Sequence, residues 1–346
     1  MRLGRTFVSP AFDVLLIGGV LSIPVALIAR AGGIKFDAVS MWQILLLTSY
    51  AHVAASLIRL YSKPEVVRQR PALTVGLPLA LVLATGWFLL ARGRAADCVQ
   101  GIYITWSSYH YAAQTYGLAL MYVYRSGGSF TPREKRFLQV ACLATFVYAV
   151  LGPAAGITMI VPASVYATWP ALEIVRQVLR AALLVFLLGG PIALAVYRQR
   201  RGHPLPMMSL ILVATNALWW VLFVPADAFA WAALSHGVQY AAIATIFHVK
   251  DSKQAPNNRR GTVYHTLTFY VACVALAYAL YYGAPPLFAM VSYKFAHSAA
   301  PLRIALMLNL HHVILDGFIW RRASAPVAAG ATGMAHSSLA RVAAPV

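Results

Sequence analysis

The sequence predicts an all-α fold, a polytopic transmembrane helical bundle of about ten spans with both termini cytoplasmic. Three observations lead there. Of the 346 residues, 60% are hydrophobic and only 11% charged, under half the ~25% charged share of an ordinary soluble domain. The mean hydropathy is +0.69. The apolar residues also gather into runs of about 20, the length that crosses a ~30 Å hydrocarbon layer as a helix.

The runs are 11–31, 40–61, 72–91, 98–125, 136–156, 171–198, 206–224, 227–249, 263–283 and 299–320. The first follows a basic start, "MRLGRTFVSPAFDVLLIGGVLSIPVALIARAGG". It is long enough to span, so it reads as an uncleaved first helix rather than a cleaved signal. The apolar segments 157–170, "ITMIVPASVYATWP", and 284–298 are short and read as interfacial loops or half-helices. No run is clearly broken at mid-membrane. Only "LGPAAG" at 151–156 and "LGGP" at 188–191 offer kinks. Residues 1–322 form one helical domain. The Ala/Pro-rich tail 323–346, which contains His336, is expected to be disordered.

The net charge of +19 comes from 28 Lys and Arg against 9 Asp and Glu. In a soluble protein this excess would suggest nucleic acid. Here the charges lie in short loops between apolar runs, so the expected partners are anionic lipid headgroups and not nucleic acid. Twenty of the 28 fall on one set of alternate loops, among them Arg2, Arg5, Arg59, Lys63, Arg125, Arg133, Arg198, Arg201, Lys250, Arg259 and Arg321. Eight fall on the other: Arg30, Lys35, Arg92, Arg94, Arg176, Arg180, Lys294 and Arg303. The positive-inside rule then puts both termini in the cytoplasm. Arginine outnumbers lysine and alanine is abundant, which suggests a GC-rich bacterial genome and a bacterial inner membrane. Cys98, Cys142 and Cys273 are isolated, with no spacing for a disulfide framework or a thiolate metal site.

Ionisable groups are costly inside a bilayer and mark function there. At 1.5 Å per residue, His52 lies roughly 16 Å from the outer end of its run and His110 about 15 Å. On the same rise His236 lies at about 12 Å and His312 at about 20 Å, so four runs bring a histidine into one band about 8 Å thick. Each sits on a polar stripe at helical spacing. The fourth run, "GIYITWSSYHYAAQTYGLALMY", places Tyr103, Ser107, His110, Gln114, Gly117 and Met121 on one face. The second places Thr48, Ser49, His52 and Ser56 together, the eighth His236 with Gln239 and Tyr240, and the tenth, "NLHHVILDGFIW", Asn309, His312 and Asp316. Lipid does not solvate such faces, so they turn inward.

Neutral imidazole is a ligand for iron, copper and zinc. The metal candidates are therefore His52, His110, His236 and His312. His311 is the substitute for His312, about 100° away around the helix. Gln114, Gln239, Tyr240, Asn309 and Asp316 are candidates for supporting hydrogen bonds, with Asp316 orienting the His312 ring or pairing with Arg321 or Arg322. The competing reading is structural, because a histidine in a membrane helix also serves as an interhelical hydrogen-bond partner. The band holds no carboxylate, which argues against a carboxylate-bridged di-iron centre. The paired histidine boxes of membrane desaturases are absent.

A polytopic bacterial protein with four intramembrane histidines on separate runs resembles the Brp/Blh class of carotene-cleaving dioxygenases. The resemblance covers architecture and ligand type. It implies a four-histidine non-haem iron, dioxygen as co-substrate and a lipophilic small-molecule substrate. The local motifs "SSYHYAAQTYG", "LSHGVQY" and "NLHHVILDGFIW" are not matched to that family, so no catalytic residue is carried over. Copper or a bis-histidine haem and a transporter with a His/Gln-lined path stand as alternatives.

Overall fold

Helices occupy each of the ten apolar runs. The computed structural model describes residues 2–33, 38–152, 156–161, 168–223, 225–256 and 258–319. All regular structure among them is helical, with no strand. In chain order the elements are α1 (Pro10–Ile17), α2 (Ser22–Ala31), α3 (Val39–Tyr61), α4 (Pro64–Gln69) and α5 (Ala72–Leu90). There follow α6 (Arg94–Arg125), α7 (Pro132–Val150), α8 (Ile157–Ile160), α9 (Pro170–Arg200) and α10 (Met207–Leu222). The last three are α11 (Pro225–Lys253), α12 (Thr262–Val291) and α13 (Ala300–Ile319).

Among these, α3, α5, α9 and α12 are long and apolar enough to cross a membrane, and a fifth span results if α1 and α2 are counted as one. Polar stripes lower the mean hydropathy of the longer helices that bear histidines, and α10 is only 16 residues long.

Three local expectations change. The first run is broken: α1 and α2 meet at 53°. Gly18 and Gly19 precede the break, Gly19 has φ +72°, and Pro24 has no N–H to give to the Val20 carbonyl. A Cβ on Gly19 would also come within 2.9 Å of Gln239 Nε2 and Ser235 Oγ. Residues 284–291 are no loop or half-helix, because α12 continues through a π-turn at Ala279–Gly283 to Val291. "LGGP" makes no break, and α9 runs through Pro191 as one helix. Of 157–170, the described part is α8 and residues from 168 onward; residues 153–155 of "LGPAAG", the tail with His336, and Arg321 and Arg322 lie outside the described residues.

The chain forms two compact units. The first comprises Met1–Lys35 and Arg92–Gln239. Its central helix α6 packs on α7, α8 and α10. Thr131 starts α7 with a capping box: its hydroxyl accepts from the Glu134 N–H while Glu134 accepts from the Thr131 N–H. The core includes Ala119, Val123, Leu138, Cys142 and Leu205. A second cluster gathers Ala26, Tyr111, Trp219, Trp220 and Phe223. The N-terminal segment is pinned by Asp13, fully buried, which accepts from Phe7 N (2.6 Å), Val8 N (3.1 Å) and the Tyr122 hydroxyl (2.6 Å). Arg125 lies over the Phe7 ring and donates to the Thr6 carbonyl.

The second unit comprises Phe36–Ala91 and Tyr240–Val346. Its core, on α3, α11, α12 and α13, includes Tyr50, Val53, Tyr240, Phe269, Tyr281 and Ala305. The α3 helix contains a π-turn at Leu46–Tyr50, just before His52, and its Tyr50 stacks at 3.7 Å on Tyr281 of the π-turn in α12. Such one-turn insertions recur at functional sites. Arg303 caps the C-terminus of α5, donating to the carbonyls of Phe88, Leu89 and Ala91 at 2.7–3.1 Å. Those are the carbonyls that a helix end leaves without intrahelical partners.

Candidate metal centre

Within the second unit α3 and α13 bring two imidazoles together. His52 Nε2 and His312 Nε2 lie 3.1 Å apart, with the rings nearly perpendicular and both side chains buried. The helical spacing that puts His52 and Ser56 on one face of α3, and His312 and Asp316 on one face of α13, creates this meeting.

Behind it runs a buried hydrogen-bond chain: His312 Nδ1 to Ser56 Oγ (2.8 Å), Ser56 Oγ to the Tyr240 hydroxyl (2.9 Å), and Tyr240 to Asp316 Oδ1 (2.9 Å). The proton positions follow from the ends inward. An Asp316 carboxylate only accepts, so Tyr240 donates to it. Tyr240 has one proton, so it accepts from Ser56, in preference to the longer 3.3 Å contact of that hydroxyl with the His52 carbonyl. Ser56 in turn accepts from His312, which therefore carries its proton on Nδ1 and presents a lone pair at Nε2. Asp316 Oδ2 stands 3.6 Å from His312 Nε2, beyond hydrogen-bond reach. Its route to the ring runs through Tyr240 and Ser56.

The donor set suits a metal. Two nitrogens at 2.0–2.1 Å from one ion stand about 2.9 Å apart at a right angle and about 3.3 Å at the tetrahedral angle. The observed 3.1 Å lies between these. The same spacing suits an N–H···N bond from His52 to the His312 lone pair, so one arrangement of the chain serves both states.

Within the first unit His110 of α6 and His236 of α11 form a second buried pair, with ring centroids 4.7 Å apart at 70°. Tyr111 lies at 4.7 Å from the His236 ring. The Gln114 amide reaches the His236 carbonyl at 3.5 Å and Gln239 Oε1 at 3.4 Å. Beside His236 is a cavity of about 10 Å³ lined by Thr115, Thr215, Asn216, Ser235 and Gln239 among others. That is room for about one water with several polar partners.

All four singled-out histidines are thus buried, in two pairs. His312 rather than His311 meets His52; His311 is buried too, and its Nε2 has no hydrogen-bond partner among the described residues. Asn309 accepts from the Tyr281 hydroxyl at 2.9 Å, linking α13 to α12. The remaining described histidines have other partners or face out. His248 stacks on Phe269, His265 bonds Asn258, His297 donates to the Leu89 carbonyl, and His203 is exposed. Sequence reasoning missed the role of Ser56. It stood on the polar stripe of His52, but a serine one turn along a membrane helix commonly bonds its own backbone. Only the approach of α13 and α11 shows otherwise.

No protein-family model matches the chain, and neither a curated protein nor a solved structure is similar to it.

Proposed function

We propose that this chain is a membrane-embedded metal-dependent oxidoreductase using non-haem iron and dioxygen on a lipophilic substrate. The reading includes about ten spans, cytoplasmic termini and a bacterial inner membrane, argued from the apolar runs and the Lys/Arg bias. The resemblance to the four-histidine dioxygenases of the Brp/Blh type points the same way. The observation that carries it is the 3.1 Å approach of His52 and His312 with the Ser56–Tyr240–Asp316 chain behind it. Buried polar chains of this kind orient imidazole ligands and hold their tautomer.

His52 and His312 are the first proposed ligands, and His110 and His236 are candidates of the same kind. Iron held by such imidazoles supplies dioxygen activation. The chain's own residues do the rest. Ser56, Tyr240 and Asp316 keep the His312 proton on Nδ1. The surrounding apolar and aromatic side chains, Tyr50 and Tyr281 among them, keep bulk water out. Cis ligation at 3.1 Å favours non-haem iron over a haem bridging this pair, whose trans nitrogens would stand about 4 Å apart.

Protein purified from iron-replete cells is expected to carry near-stoichiometric iron by elemental analysis, with no Soret band. His52→Ala and His312→Ala should lose that iron while retaining a cooperative thermal transition. Folded wild-type protein free of iron and copper, from metal-replete cells, would end the reading.

A second reading rests on a different observation. The α1–α2 break places Gly19 against Ser235, Gln239 and Thr215. Interrupted helices beside polar residues are the sites of many transporters. Solute or proton flux in proteoliposomes that Ser235→Ala and Gln239→Ala abolish would favour transport.

A further inference from the structure

A basic mouth opens in the first unit where α7 begins and α9 ends. Its cavity of about 490 Å³ is lined by Ser129, Thr131, Glu134, Tyr197, Arg198, Arg201 and His203. The one carboxylate in it is already neutralised: Glu134 is 3.0 Å from Arg198 Nη1 and accepts from the Thr131 N–H and hydroxyl. Arg198 is buried, donates to the carbonyls of His203 and Ser129, and lies 4.6 Å over Phe130. Arg201 lies 4.8 Å over the Tyr197 ring and is exposed, so its charge is presented to the mouth without an acidic partner among the lining residues. Guanidinium planes laid on aromatic rings are pre-organised for bidentate phosphate contacts.

A second feature adjoins it. Along α9, Val185, Leu188, Ile192 and Val196 are 41–73% exposed. At steps of three and four they form one apolar ribbon, which leads to Tyr197 and the basic mouth. An inorganic phosphate needs no such ribbon, whereas a phospholipid needs both parts.

We propose that this mouth is a specific site for an anionic phospholipid. Its phosphate binds Arg201 with help from Arg198, His203 and the Ser129 hydroxyl, and its acyl chains lie along the α9 ribbon. The inference rests on the membrane placement proposed above and is independent of the metal.

Native mass spectrometry of the full-length detergent-solubilised protein tests it, with a phosphatidylglycerol and the phosphatidylcholine of matched chains as probes. The expected result is one phosphatidylglycerol retained about tenfold better than phosphatidylcholine. Arg201→Ala should lower its retention about fivefold, the worth of one charge at an anionic lipid surface. Arg201→Lys should keep most of it, and Arg259→Ala, in another loop, should change nothing. Equal retention of the two lipids, indifference to Arg201→Ala, or displacement of the lipid by millimolar inorganic phosphate would overturn the proposal. A wild-type chain soluble without detergent would instead overturn the membrane placement.

Discussion

Tyr240 and Asp316, on α11 and α13, are joined by a 2.9 Å hydrogen bond whose direction sets the protonation of a histidine it does not touch. A carboxylate at one end of the chain and an imidazole at the other leave the two hydroxyls between them a single consistent order of donors. On the metal reading, the chain is expected to matter more for affinity than for the fold.

Ser56→Ala, Tyr240→Phe and Asp316→Asn should each weaken metal binding about 10–100-fold, the usual worth of the groups that orient a ligand. Because they act in series, Ser56→Ala combined with Asp316→Asn should bind about as weakly as Ser56→Ala alone. Competition titration with a metal-sensitive dye reads both effects. Fully additive losses would mean that the residues act separately.

His311 and His312 should behave differently although they are neighbours. His312→Ala is expected to lose bound metal, whereas His311→Ala should keep it, because it is the His312 ring that meets His52. Elemental analysis of the two purified variants is sufficient.

Asp13→Ala should destabilise the first unit strongly. It removes the acceptor of two backbone N–H groups and the Tyr122 hydroxyl in a fully buried place. Each bond to a charged acceptor is worth about 1.5–3 kcal/mol, so a loss of roughly 3 kcal/mol or more is expected. Thermal unfolding in detergent measures it, and early proteolysis of residues 2–9 should accompany it.

Gly19→Ala should lower the melting temperature at constant expression. The left-handed backbone costs a Cβ-bearing residue roughly 1–2 kcal/mol, and the added methyl meets Gln239 and Ser235 at 2.9 Å. Gly33→Ala also has positive φ but meets nothing within 4 Å. It should therefore cost less, and the pair separates crowding from backbone strain.

Glu134 gives a pH signature. Burial pushes its pKa up, but hydrogen bonds from the Thr131 backbone and hydroxyl and the nearby Arg198 outweigh this and leave it below the ordinary carboxylate value. A carboxyl with a depressed pKa contributes stability that is present above its unfolded pKa of about 4.3 and is lost as pH falls through its folded pKa. Wild type should therefore lose stability below about pH 4 more steeply than Glu134→Gln. Melting temperatures across pH 3–6 give the comparison.

Much of this molecule was legible in one dimension. Runs of about 20 apolar residues demand helices, since an unpaired backbone is too costly in hydrocarbon, and a helix is found in each run. Helical periodicity also showed which face of each run is polar, and the four histidines on those faces are buried as expected. The break at Gly19 was legible in principle, in "IGGVLSIP", but glycines are common in apolar helices and only the contacts of Ser235 and Gln239 make this one obligatory. Asp13 was passed over because its partners, Tyr122 among them, are far along the chain.

The periodicity of each helix follows from its own residues, because hydrogen bonds and side-chain positions along a helix repeat locally. Which side chains meet is decided by how helices pack, and packing depends on residues hundreds of positions apart. His52 and His312 are 260 residues apart, and Ser56 and Tyr240 are 184 apart. Composition and spacing alone determined a helical, apolar chain with buried imidazoles. The tertiary structure decided that His312 is the one beside His52, and that a serine and a tyrosine stand between it and its carboxylate.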